Sequence, residues 1–183
     1  MTERNRRRAE GPWIVAGALA VVVALLAVLL VHVLSVRHDH EHRGGGTVRV
    51  AAAGPTRDQQ QAVTSAATEA ANLVTYSRKT FDADFARALH GATGSLAKDL
   101  RGEKAKTLAS MNKGKFDLRG SVEHSAYEGT DGHGNVLALV TVNGYAMSDS
   151  GKRSAANTQR LELTMTRSGG DWLASNLTSV GIQ

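Results

Sequence analysis

Cysteine is absent from the 183-residue chain. Disulfides, thiolate metal sites and cysteine nucleophiles are therefore excluded. Also absent is any spelled-out Ser-His-Asp set, glycine-rich phosphate loop or zinc-ligand motif. Aromatic residues make up only 4 % of the chain. Charge is missing altogether from Gly11 to Val36, a run of 26 residues. What the chain does have in excess is positive charge, +5 formally, with a pI near 9.8. That excess is not concentrated. Of 22 Lys+Arg and 17 Asp+Glu in total, 7 and 4 lie in the first 55 residues, leaving 15 and 13 from Thr56 onward. Duplex binding needs a concentrated basic face, so nucleic acid is not an expected partner.

The uncharged run is the strongest signal. A helix rises about 1.5 Å per residue, so about 20 residues cross a hydrocarbon core of about 30 Å. From Ile14 to Val36 the run is almost wholly Val, Leu and Ala, with Trp13 at one end and His32 near the other. A cleaved signal peptide would have an apolar region of about 7–15 residues, shorter than this. The small-residue triplet Ala51-Ala52-Ala53 lies well beyond it. The run reads as a membrane anchor in the lipid bilayer. Arg4, Arg6, Arg7 and Arg8 precede it, whereas Arg37, Arg43 and Arg49 follow it among Asp39 and Glu41. This bias puts the N-terminus in the cytoplasm and the C-terminal part outside. Ala16, Ala20 and Ala24 recur at a spacing that lets two membrane helices approach closely, although Ala is abundant throughout.

Organisation follows from composition: 1–12 a cytoplasmic basic tail, 13–36 a transmembrane helix, 37–55 a His/Gly-rich linker and 56–183 a globular domain. In the linker, His38, His40 and His42 would share one face of an extended strand. Zinc or nickel favours imidazole, but Gly44-Gly45-Gly46 follows and nothing fixes the geometry, so a solvated spacer is expected.

Asp58–Ser77 lacks proline and glycine and carries Val63, Ala66, Ala67, Ala70 and Val74 at helical spacing. Thr80 is a plausible N-cap for a second helix, with Asp82 and Asp84 suited to its first turn. Phe81, Phe85 and Leu89 should face the core. A third helix runs from Ser95 to about Asn112, burying Leu96, Leu100, Leu108 and Met111. After Gly114 the period changes to two. Strands are expected over Phe116–Glu128, Val136–Ser148, Arg160–Arg167 and Trp172–Val180, separated by turn clusters. Three helices packed on a curved four-stranded antiparallel sheet make an α+β domain. That order resembles the NTF2-like (SnoaL-like) cone.

The resemblance extends to particular residues. An Ala-rich helix leads into Asn72-Leu73-Val74-Thr75-Tyr76, then Thr80-Phe81-Asp82-Ala83-Asp84-Phe85-Ala86-Arg87-Ala88, then Thr93-Gly94. With the N-terminal anchor and Asp171-Trp172-Leu173, this is similar to the Mce-associated membrane proteins of actinobacteria. Such a resemblance implies a non-catalytic accessory role beside Mce lipid-import complexes in the cell envelope. It brings no catalytic residues and no cofactor.

Two sets of candidate residues follow. Phe85, Leu161, Leu163 and Met165 are expected to line the cone, with His124 turned inward on the face of Val122 and Ala126. An apolar cone could hold a lipid or small molecule. A dehydratase or isomerase would need an inward acid–base pair, for which only His90, His124, Asp82 and Asp84 are at hand. Lys98, Arg101, Lys104 and Lys106 form a basic stretch suited to anionic headgroups or an acidic partner, offset by Asp99 and Glu103.

Overall fold

The computed structural model describes residues 54–180. The expected tail, transmembrane helix and nearly all of the linker lie outside the described residues. Among the described residues no helix is long and apolar enough to cross a membrane.

Helix α1 spans Arg57–Leu73, α2 Phe81–His90 and α3 Gly94–Gly114. Strands β1 (Phe116–Thr130), β2 (Val136–Ser148), β3 (Asn157–Ser168) and β4 (Asp171–Val180) follow. They pair in the order β1-β2-β3-β4, every neighbour antiparallel. The expected α+β architecture is present.

Local chemistry explains the element ends. Thr56 caps α1 reciprocally: its hydroxyl accepts the Gln59 N–H at 3.2 Å, and the Gln59 side-chain carbonyl accepts the Thr56 N–H at 2.8 Å. Such a box satisfies two donors that the first turn leaves free. At the other end α1 stops at Leu73, short of the expected Ser77. Tyr76 is drawn instead into a bridge with β1, its N–H to Leu118 O at 3.0 Å and its carbonyl from Leu118 N at 2.8 Å. Thr80 occupies the N-cap position of α2 but makes no side-chain cap bond. Its hydroxyl donates to Asp84.

The small side chains of α1 let it lie close to the sheet. Ala62, Ala66 and Ala70 are wholly buried against Val136, Ala138, Val140, Leu161, Leu163 and Met165. A second cluster joins α2 and α3 to the start of β1 through Phe81, Phe85, Met111, Phe116 and Leu118. The N-terminus of α1 is tied to the last hairpin by Asp58, which pairs with Arg167 and accepts from the Trp172 indole at 3.4 Å. Clean alternation of burial along β2 and β3 matches the period read from the sequence.

Strand β1 departs from simple alternation. Its pairing with β2 slips between Val122 and His124 and again between Tyr127 and Gly129. Each bulge adds one residue and reverses which face the next side chain takes. Val122 therefore lies opposite buried Val142, whereas His124 lies opposite Thr141 on the other face. The inward placement expected for His124, and for Ala126 with it, does not hold: both are exposed.

Candidate ligand cavity and a buried carboxyl cluster

Between the three helices and the sheet a cavity of about 120 Å³ remains. Its floor is apolar: Leu73 from α1, Phe85 from α2, Leu96 and Leu100 from α3, and Leu118, Val142, Leu161 and Leu177 from the sheet. Its mouth is polar. Asp99 and Glu103 come from α3, Arg119 from β1, Tyr145 from β2, and Asn157 and Gln159 from β3. Sites that enclose a drug-sized ligand run to about 300–1,000 Å³, so this one fits something smaller.

Of the residues expected to line the cone, Phe85 and Leu161 do so. Leu163 and Met165 are fully buried on the same strand face, but beneath α1 rather than at the cavity. His124 is exposed and is not part of the lining. Lining residues that escaped the sequence reading include Arg119, Gly144 and Tyr145, and also Glu103, Asn157 and Gln159. Two signals pointed to the last three. Alternation continued two steps back from Leu161 gives Gln159 and Asn157, and Glu103 falls between Leu100 and Thr107 on the buried stripe of α3.

The basic stretch on α3 is partly neutralised. Lys104 Nζ lies 2.7 Å from Asp82 and 5.1 Å from the centroid of the Phe85 ring. Lys106 Nζ lies 3.2 Å from Glu103. Lys98 and Arg101 are exposed, the latter with a guanidinium donating to Ala97 O at 3.4 Å.

A cluster of carboxyl groups fixes the helices beside the cavity. Asp84, expected only to favour a helix start, is buried and accepts three hydrogen bonds. These come from Ser77 N–H at 2.8 Å, Thr80 Oγ1 at 2.8 Å and Arg87 Nη1 at 2.9 Å. Burial by itself would raise its pKa, but those three donors outweigh it and hold the carboxyl below the ordinary value. Asp117 pins the same loop from β1, accepting from Arg78 N–H at 2.9 Å, Arg78 Nε at 3.3 Å and Ser77 Oγ at 3.2 Å. Its pKa is likewise lowered, the donors overcoming burial. The loop Tyr76–Thr80 is thus held between two carboxylates.

Glu69 is different. It is 2 % exposed on α1, and among the described residues Oε2 accepts only a 3.3 Å bond from Asn72 while Oε1 has no hydrogen-bond partner. Burial pushes its pKa up to about 8, against the weaker opposing effects of Asn72 and Arg87. Tyr76 nearby is also pushed up, first by burial and then by Glu69. The carboxyl lies against Gly91, where an added Cβ would sit 2.0 Å from Glu69 Oε2. Gly91 φ is an ordinary −81°, so the glycine is required by space rather than by backbone conformation. Replacing Gly91 with Ala should therefore destabilise the domain by about 1–3 kcal/mol, the usual range for overpacking. Chemical denaturation checks this, and pairing Gly91→Ala with Glu69→Ala should recover part of the loss. Simple additivity of the two would refute the contact.

Among the described residues no group of three His, Asp or Glu is placed to hold a metal ion. His90, His124 and His133 are all exposed. Three N-terminal helices on a four-stranded meander, closing over a small cavity, define an NTF2-like α+β fold. Solved structures agree with that class. A periplasmic fragment of TraM matches with a TM-score of 0.55 at 12 % identity, over 68 % of this chain and 98 % of that one. The periplasmic domain of DotI matches with 0.57 at 11 %, over 72 % and 100 %. An IcmL-like type IV secretion system protein from Legionella pneumophila matches with 0.52 at 14 %, over 72 % and 96 %. No family model and no curated protein matches the chain.

Proposed function

We propose that this chain is a non-catalytic accessory protein, anchored by residues 13–36, whose NTF2-like domain lies outside the cytoplasmic membrane and stabilises an Mce-type lipid import complex. The observation that carries this reading is the fold itself. It spans 96–100 % of domains described as periplasmic or as belonging to a secretion system. The stretch that resembles Mce-associated proteins, most of Ala66–Gly94, supports it too, because it contains the doubly pinned loop and α2. The anchor confines the domain to a membrane surface, which raises its effective concentration around a membrane complex. Lys98 and Arg101, exposed on α3, are the side chains offered to anionic headgroups or to an acidic partner, with Lys104 and Lys106 beside them.

The non-catalytic part of the proposal rests on placement. Acid–base chemistry in a cone needs a titratable pair reaching the reacting atoms. The ionisable side chains around this cavity are Asp99, Glu103, Arg119, Tyr76 and Tyr145, and the described histidines are on the surface. Purification of the tagged full-length chain from membranes in mild detergent should recover envelope lipid-import subunits. Protease added to intact cells should remove a C-terminal tag and spare an N-terminal one. Recovery of no transport subunit, or the opposite protease pattern, overturns the reading.

A further inference from the structure

The inward face of the sheet has a gap in it. Gly120 on β1 and Gly144 on β2 are register partners, so two neighbouring positions carry no side chain. Val74, just after α1, closes one of them. A Cβ added at Gly120 would sit 2.2 Å from Val74 Cγ2, so that space is already taken. The other stays open. Among the described residues a Cβ added at Gly144 would meet only Arg119 O, at 3.9 Å. Gly144 lies between buried Val142 and Ala146 along β2, and it lines the cavity. Its φ is not in the left-handed region, so backbone conformation does not call for glycine here. The absent side chain leaves room and nothing else.

Floor and rim together define what fits. The floor is apolar, with Phe85, Leu96, Leu118, Val142 and Leu161 around the room left by Gly144. Apolar cavities of this kind stay dry and take up apolar groups. The rim carries both signs of charge: Asp99 and Glu103 against Arg119. Lys106 Nζ lies 3.2 Å from Glu103 Oε2, and Arg119 Nη2 lies 3.6 Å from Asp117. Such a rim selects no sign. Gln159 Oε1, also at the rim, is shielded from solvent and has no hydrogen-bond partner among the described residues. An amide end both accepts and donates, so an alcohol, an ammonium and a carboxylate each find a partner there. We infer that the cavity binds the tail end of a single-chain amphiphile, with its polar head at the rim. An apolar cavity of about 150 Å³ takes up the six carbons of benzene, so 120 Å³ has room for about five.

Affinity then comes from the tail. Each methylene moved from water into the cavity should tighten binding about fourfold, until about five carbons are enclosed. Carbons beyond those remain outside and add little. A side chain at position 144 would occupy the same room. Gly144→Val places one there without backbone strain, on a strand where branched residues are favoured. Neither the anchor nor any transport partner is needed for this binding.

The test uses the full chain in phosphatidylcholine nanodiscs and fluorine NMR, with empty nanodiscs as the lipid background. The probes are straight-chain alcohols of three to nine carbons ending in a trifluoromethyl group, plus the amine and carboxylate of the six-carbon chain. The six-carbon alcohol should bind saturably in the high-micromolar to millimolar range. Affinity should climb about fourfold per methylene up to about five carbons and then level off. The three six-carbon heads should agree within about threefold. Gly144→Val should abolish saturable binding of every probe and melt no lower than wild type, which separates a filled cavity from a damaged fold. Should it melt lower, Gly144→Ala decides: the levelling-off should move to a chain about one carbon shorter. Affinity that keeps climbing to nine carbons overturns the inference, as does a tenfold preference for one head. So does binding that survives Gly144→Val, a levelling-off that Gly144→Ala does not move, or no saturable binding at all.

Discussion

Replacing Glu69 by Gln should raise thermal stability at pH 7.5 by several degrees and leave it nearly unchanged at pH 5. The wild-type carboxyl is buried, and its pKa in the folded domain is pushed up to about 8 from an ordinary 4.5. Below the lower value both folded and unfolded chains carry the proton, and Glu69 contributes no pH dependence. Between the two values the unfolded chain releases the proton while the folded one retains it. The folded state then binds more protons, so stability falls as pH rises. Above about 8 the loss is complete. At about 1.4 kcal/mol per pH unit the interval corresponds to at most about 5 kcal/mol, and local relaxation will reduce it. Gln mimics the protonated carboxyl and should flatten this slope. Asp84 and Asp117 act in the opposite sense. Their lowered values mean that stability is lost as pH falls below the ordinary carboxylate range. A fragment spanning residues 54–183 should therefore be most stable near pH 4–5. Melting curves of wild type and Glu69→Gln from pH 4.5 to 8.5 decide the matter: parallel profiles would refute the assignment.

The second large effect is expected at Asp84. Its removal in Asp84→Ala would leave the buried Ser77 N–H without its acceptor, would free the hydroxyl of exposed Thr80, and would release Arg87. Because Arg87 is half exposed and Thr80 is exposed, most of the cost comes from the buried Ser77 N–H rather than from the ion pair. About 1–3 kcal/mol is expected, the scale of leaving one buried donor unsatisfied. Asp84→Asn keeps an acceptor and should lose less. Asp82, two residues earlier, is the control. Its side chain is 86 % exposed and pairs only with Lys104, so Asp82→Ala should stay within about 0.5 kcal/mol of wild type. Equal effects at the two positions in urea denaturation would show that Asp84 acts only as a helix-start charge.

These two aspartates show where the sequence could be read and where it could not. Both sit in the first turn of α2, and a carboxylate there is favourable whatever else it touches. Nothing local distinguishes the one that also gathers the Ser77–Thr80 loop, because that loop is placed by the bridge from Tyr76 to distant Leu118. The strands were legible because alternation and glycine-bearing turns are local. Leu161, Leu163 and Met165 announce their shared face directly. His124 was misplaced because a bulge in β1 has no signature of its own in Val122-Glu123-His124. The polar lining on β3 was missed for a related reason: β3 begins at Asn157, three residues before the expected strand start at Arg160, so Gln159 fell outside the expected strand. Glu103 was counted as an offset to neighbouring lysines, although its position on the α3 stripe already aimed it inward.

Among the described residues all three helices precede all four strands, and this order matters during synthesis. Ala62, Ala66 and Ala70 emerge first, with no surface to cover them, and helices of this length are marginal in water without tertiary contacts. Their partners include Trp172, Ala174 and Leu177 on the final strand. The domain can therefore close its core only once β4 has left the ribosome, and a chain interrupted before Asp171 would lack the surface that covers these alanines.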